Sequence, residues 1–238
     1  MALDVYVGSL TRYYAGDWDS AAERTIGTRG GRRGASPRPR QRSSRTARDS
    51  ARLRRRVVVW REALSQSLGD NVSEPLDWDE SDLAPCFTGQ PGWDGFGSLV
   101  LWAAYAEHQT LRCPVTLPEE WDDDPALLRC NAEGFRSRFS HLVRNVELWL
   151  PSAFPFTFEG DDIDGRRIVI GSATTLARQL GELNAATWKV DDAEVSSWER
   201  RRPLSDAALE LKARYAFAAL TGLARRAVEH RLPMKLDY

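Results

Sequence analysis

Asp206-Ala-Ala-Leu-Glu-Leu-Lys-Ala-Arg-Tyr-Ala-Phe-Ala-Ala-Leu-Thr-Gly-Leu-Ala-Arg-Arg-Ala-Val-Glu-His230 decides how this chain is built. Between Arg214 and Arg225 the run carries no charge. A helix over Tyr215–Ala224 is therefore apolar around its whole circumference and must be covered on most sides. At ~1.5 Å per residue a helix over 206–230 crosses much of a domain. It reads as the central packing helix, with the rest of the chain arranged around it.

Working outward, Ser172–Thr187 reads as a helix whose first residue is a side-chain cap. Before it, Val146–Leu150, Phe154–Glu159 and Arg167–Ile170 read as short strands, with Asp-Asp-Ile-Asp-Gly at 161–165 as the turn between the last two. After the long helix, Met234–Tyr238 follows Pro233 and is predicted to return as an edge strand beside a first strand at Leu3–Val7. Phe96–His108 reads as a helix, and Asp124 before Pro125 starts another that runs to about Val143. Leu53, Val57, Trp60, Leu64 and Leu68 recur at spacings of four and three, so Ala51–Leu68 is an amphipathic helix. Asp17–Ile26 reads as a shorter helix, and 74–91 as a polar loop. Few strands, many helices and no strand–helix alternation define an α+β class: a small, mainly antiparallel sheet packed against several helices in one domain over 1–238.

Hydrophobic residues make up 42% and charged residues 28%, ordinary values for a packed domain, but nine tryptophans are many for 238 residues. Trp102, Trp149, Tyr215, Phe217 and Leu220 are the expected core. Arginine outnumbers lysine 30 to 3, as GC-rich codons dictate before any selection on function. Residues 24–56 hold thirteen arginines and one acid, so a local charge of +12 leaves −13 on the other 205 residues. Residues 27–50 are expected to be a disordered Arg-rich insertion, because they lack the apolar content to offset the entropy of ordering. The composition over 27–56 is also what a GC-rich gene yields when read out of frame. That stretch lacks the interleaved aromatics of a nucleic-acid arm, and the acidic body would repel DNA, so nucleic acid ranks last among partners. No apolar run approaches a membrane span and the chain opens straight into a strand, so a cytoplasmic location is expected. Cys86, Cys113 and Cys130 are odd in number and irregularly spaced, which suggests free thiols.

The Trp-Asp dipeptide recurs at Trp18-Asp19, Trp78-Asp79, Trp93-Asp94 and Trp121-Asp122. One reading is a ring packed beneath a helix start that the Asp caps. The other is an acidic, aromatic mouth built from Trp78, Asp79, Glu80, Asp82, Trp93, Asp94, Trp121, Asp122 and Asp123, in which rings stack and carboxylates accept. Gly89, Gly92, Gly95 and Gly97 match neither phosphate-binding fingerprint and read as a flexible turn. His108, His141 and His230 fall near helix C-termini, where a partly protonated imidazole gains from the dipole. No metal-ligand spacing or nucleophile motif occurs, so no metal, cofactor or catalytic residue is assigned and an enzyme is not favoured. Arg12, Tyr13 and Tyr14, just beyond the first strand, could form a polar pocket.

The opening Val5-Tyr-Val-Gly-Ser-Leu-Thr-Arg-Tyr-Tyr14, the Trp-Asp segments and the closing His230-Arg-Leu-Pro-Met-Lys-Leu-Asp-Tyr238 resemble an uncharacterised family of bacterial hypothetical proteins. The resemblance implies no activity. Two functions remain: a binding protein whose acidic, Trp-rich surface recognises a basic protein partner, as immunity or inhibitor proteins do, and an enzyme or binder of a small polar ligand near Arg12, Tyr13, Tyr14 and the Trp-Asp loops.

Overall fold

The computed structural model describes residues 3–19 and 44–238. Its strands are β1 (Asp4–Val7), β2 (Phe87–Gly89), β3 (Val146–Leu150), β4 (Phe158–Asp161), β5 (Arg167–Ser172) and β6 (Met234–Asp237). Its helices are α1 (Leu10–Tyr14), α2 (Ser44–Leu68), α3 (Gly92–Glu107), α4 (Pro125–Glu133), α5 (Ser140–Val143), α6 (Ala173–Ala186), α7 (Asp192–Glu199) and α8 (Leu209–Glu229). The strands form one sheet in the order β2-β1-β6-β3-β5-β4, antiparallel at every pairing except β3 with β5. The class is α+β, with the mainly antiparallel sheet and long C-terminal helix that the sequence predicts.

Period-two alternation sorts the sheet's side chains onto two faces. Val5, Val7, Met234 and Leu236 join Trp149 in a core with α3, α6 and α8. Leu148, Leu150, Ile168 and Ile170 face the other way and meet Val57 and Leu68 of α2. The apolar stripe read over Ala51–Leu68 is therefore the cover of the sheet's second face. The helix is already formed at Ser44, the first described residue of this stretch and ahead of the expected Ala51, and its arginines grip the acidic body. Arg54 pairs with Asp82 at 2.9 Å, and Arg56 donates to the Ile163 carbonyl at 2.6 Å. These contacts include two arginines of the suspected out-of-frame stretch. Most of the segment expected to be disordered, 27–43, lies outside the described residues, as do 20–26 of the short helix expected at 17–26; its first residues, 17–19, are not helical.

α8 is covered by α3, α6 and α7 as well as by the sheet, which explains its charge-free stretch. Trp149, Phe217 and Leu220 are fully buried, whereas Trp102 and Tyr215 are only partly so. Trp102 stacks on Trp188 at 5.5 Å, and Tyr215 reaches the Gln90 carbonyl with its hydroxyl at 3.2 Å. Asp124 caps α4 through the Ala126 amide at 2.9 Å and Ser172 caps α6 through the Thr175 amide at 3.1 Å, both as the sequence predicts. The helix expected to run to Val143 instead stops at Gly134, whose φ of +66° breaks it. β6 does lie beside β1, but as an interior strand rather than an edge, because β3 pairs with its other side.

A Cβ on Gly97 of α3 would lie 2.7 Å from the Trp121 ring, so glycine is there to admit the indole. Gly97→Ala should cost about 1–3 kcal/mol by overpacking, read from the midpoint of urea unfolding. An unchanged midpoint would mean that Trp121 moves aside freely.

His141 corrects the dipole expectation. It is fully buried in α5, and burial, reinforced by the nearby Arg178, pushes its pKa from 6.5 down to about 4. The folded chain therefore holds it neutral. Between pH 6.5 and 4 the unfolded chain takes up a proton that the folded chain refuses, so stability falls as pH falls, by at most ~3 kcal/mol from this group. Unfolding of wild type and His141→Gln at pH 7 and pH 4 should show a smaller acid loss in the variant. Equal losses would contradict this.

Candidate functional site

The face of β1 and β6 turned away from α8 carries polar side chains. Tyr6 of β1 sits opposite Lys235 of β6, and Asp4 opposite Asp237. Leu148 of β3 flanks Lys235 on its other side. Two local structures cover this strip. One is α1, which Ser9 caps and which delivers Tyr13 and Tyr14. The other is the turn after β4, where Asp162 accepts from the Asp164 and Arg166 amides at 2.9 and 3.0 Å, and Gly165 takes φ +79°. Between them opens a cavity of about 620 Å³ lined by Tyr13, Tyr14, Trp18, Asp162, Lys235 and Tyr238, with Arg166 and Asp237 among its other walls.

Most of the charged and hydroxyl groups in this cavity are tied to named neighbours. Tyr13 donates to Asp237 at 2.7 Å and Tyr14 to Asp162 at 3.0 Å. Arg166 and the Tyr238 hydroxyl both donate to Glu147, at 2.6 and 2.7 Å. Tyr13 also stacks on Trp18, with ring centroids 5.7 Å apart. Lys235, 1% exposed, differs from them: its Nζ has no hydrogen-bond partner. Its nearest carboxylate oxygen, Asp162 Oδ2, is 3.8 Å away, and the ammonium lies over the rings of Tyr13 and Tyr14 at 5.5 and 6.0 Å.

Burial sets the protonation states. It lowers the pKa of Lys235, with Asp162 opposing that shift. Burial together with the accepting carboxylates pushes Tyr13 and Tyr14 far above the ordinary phenol range, so both act as neutral donors. The result is a pocket with aromatic walls, several carboxylate acceptors and one amine without an acceptor.

The residues singled out from sequence scatter around the molecule. Tyr13 and Tyr14 line the cavity, but Arg12 turns away to donate to the carbonyls of Ala84 and Asp82 at 2.7 Å each. Trp78 and Glu80 are buried; Glu80 accepts from the Leu10 and Thr11 amides and from the Trp78 indole, so it holds the start of α1. Asp79 closes a turn on Ser81 at 2.7 Å and caps no helix. Trp93 packs edge-on against Tyr238 at 5.1 Å, which brings it to the cavity's border, while Asp94 pairs with Lys212 at 3.1 Å. Trp121 packs into the core on the α8 side of the sheet, opposite to that of Trp78. Asp122 and Asp123 are exposed beside it. The Trp-Asp segments thus do not converge on one mouth.

Glu107, His108 and Glu133 bring three possible ligand atoms within 4.8 Å of one another. Glu107 is already engaged by the Ser137 hydroxyl and the Arg138 amide, both at 2.8 Å, so this cluster reads as the tie between α3 and the turn after α4. The three cysteines are free, and burial raises the Cys113 and Cys130 thiols to about 11 and 12, which leaves them unreactive near neutrality. Among the described residues no helix is long and apolar enough to cross a membrane. No family model matches the chain, and no curated protein or solved structure matches it either.

Proposed function

We propose that the protein binds a small, hydroxyl-rich ligand in the cavity between α1, β6 and the 161–165 turn. The observation that carries this reading is Lys235: a buried residue in the wall of the cavity whose amine has no hydrogen-bond partner and faces the Asp162 carboxylate at 3.8 Å. Buried polar atoms are mostly satisfied, and among the buried atoms without a hydrogen bond in this structure Lys235 Nζ belongs to a residue that lines this cavity. Three walls carry carboxylates, Asp162, Asp164 and Asp237, and the one guanidinium among them is engaged by Glu147. That balance suits hydroxyl donors over anions. Tyr13, Tyr14 and Trp18 supply apolar ring surface in the lining against which the C–H groups of a polyol can pack.

A basic protein partner held by an acidic, Trp-rich surface has less behind it, since Trp78 and Glu80 are consumed by packing and Trp121 faces a different core.

Saturation-transfer NMR with a panel of polyols and sugars tests the reading. Wild type should give transfer to at least one of them, and Asp162→Asn and Tyr14→Phe should each reduce it several-fold. Binding that ignores both substitutions would place the ligand elsewhere and end this proposal.

A further inference from the structure

We infer that Lys235 is a reactive amine that condenses with the carbonyl of a small hydroxylated aldehyde or ketone, an open-chain sugar, to form an imine. The inference rests on the polar-ligand reading of the same cavity and adds chemistry to it.

Three features of the geometry support it. First, the chain has only three lysines, and their settings differ: Lys189 is exposed, Lys212 is held by Asp94 at 3.1 Å, and Lys235 lines a cavity with its Nζ buried and without a hydrogen bond. A lysine becomes a nucleophile when its surroundings hold back its proton, and burial acts in that direction here. The charges facing it are those of Asp162, Asp237, Glu147 and Arg166, with Tyr13 and Tyr14 beside it. Second, Asp162 Oδ2 is the carboxylate oxygen facing the amine, at 3.8 Å, and Tyr14 fixes that same oxygen by donating to it at 3.0 Å; with a water between them it can carry a proton from nitrogen to oxygen. Third, the amine lies over the rings of Tyr13 and Tyr14, which line the same cavity.

The step balances without an outside oxidant or reductant. The Nζ lone pair forms the C–N bond as the carbonyl π pair moves to oxygen. That oxygen takes the proton that nitrogen sheds, giving a carbinolamine. The C–O bond then breaks as the nitrogen lone pair forms C=N, the departing hydroxyl takes the remaining nitrogen proton, and one water leaves.

The probe is D-erythrose with sodium cyanoborohydride, which delivers hydride to the imine carbon and makes the link permanent. Peptide mass mapping then reads which amines are modified, a clean assay when only Lys189, Lys212, Lys235 and the N-terminus can react. The expected result is a single dominant adduct on Lys235, formed about tenfold faster than on exposed Lys189. It should be suppressed by excess erythritol, which has the hydroxyls but no carbonyl. Lys235→Met, checked by circular dichroism, should lose the dominant adduct. If that variant does not fold, the competition among the three lysines of the wild type still decides. Adducts on Lys189 and the N-terminus with none on Lys235 overturn the inference. Saturation transfer to erythritol separates the two ideas: erythritol bound but Lys235 untrapped removes the imine and leaves the polar-ligand site, whereas neither signal removes both.

Discussion

Trp149→Ala is expected to lower the free energy of unfolding by about 3–5 kcal/mol. Trp149 is fully buried in β3, on the face that meets α6 and α8. Its truncation loses apolar contact and opens a cavity that well-packed neighbours cannot close. The indole also donates to the His141 carbonyl at 2.8 Å, so the substitution leaves a buried acceptor unsatisfied. Gly171 stands 3.3 Å from the ring by its notional Cβ, so the adjacent strand is shaped around this side chain. Denaturant unfolding of the variant measures the loss. Trp149→Phe, which keeps a ring and loses the donor, should fall between the two. A variant that unfolds at the wild-type midpoint would remove Trp149 from the core.

The second large effect is expected at Glu80. Its carboxylate is buried and accepts two backbone amides of α1, from Leu10 at 3.0 Å and Thr11 at 2.8 Å, as well as the Trp78 indole. Glu80→Ala leaves three buried donors without a partner, at a cost of about 4 kcal/mol. Because the same carboxylate anchors the helix that carries Tyr13 and Tyr14, the variant should also weaken ligand binding in the cavity. Glu80→Gln keeps one accepting oxygen and should retain much of both. Full stability in Glu80→Ala would mean that water replaces the carboxylate and that α1 needs no anchor.

What was legible in the chain follows from how local each signal is. The long helix showed itself because ten residues without charge have one explanation in a packed domain, and α2 because Leu53, Val57, Trp60, Leu64 and Leu68 keep helical spacing. Asp124-Pro125 and Ser172 carry their caps in sequence. β2 was hidden, since three residues inside a polar loop leave no alternation to see, and α7 was hidden because its polar first turn resembles a loop. The Trp-Asp repeat misled for a physical reason: a shared dipeptide says nothing about which face of the sheet each copy reaches.

Half of the site was within reach and half was not. Tyr13 and Tyr14 could be named because they follow a strand. Lys235 could not, because a lysine in a short C-terminal strand looks solvated until the strand proves interior and its neighbours prove to be Tyr6 and Leu148. Asp162 was read as a turn residue, which it is, but the turn's approach to β6 depends on the order of strands far apart in sequence.

The most direct test of the central claim is a crystal structure of the full chain soaked in erythritol. The account predicts density for the polyol between the rings of Tyr13 and Tyr14 and the Asp162 turn, with one hydroxyl oxygen within hydrogen-bond distance of Lys235 Nζ. A cavity filled only by solvent at saturating polyol would contradict it.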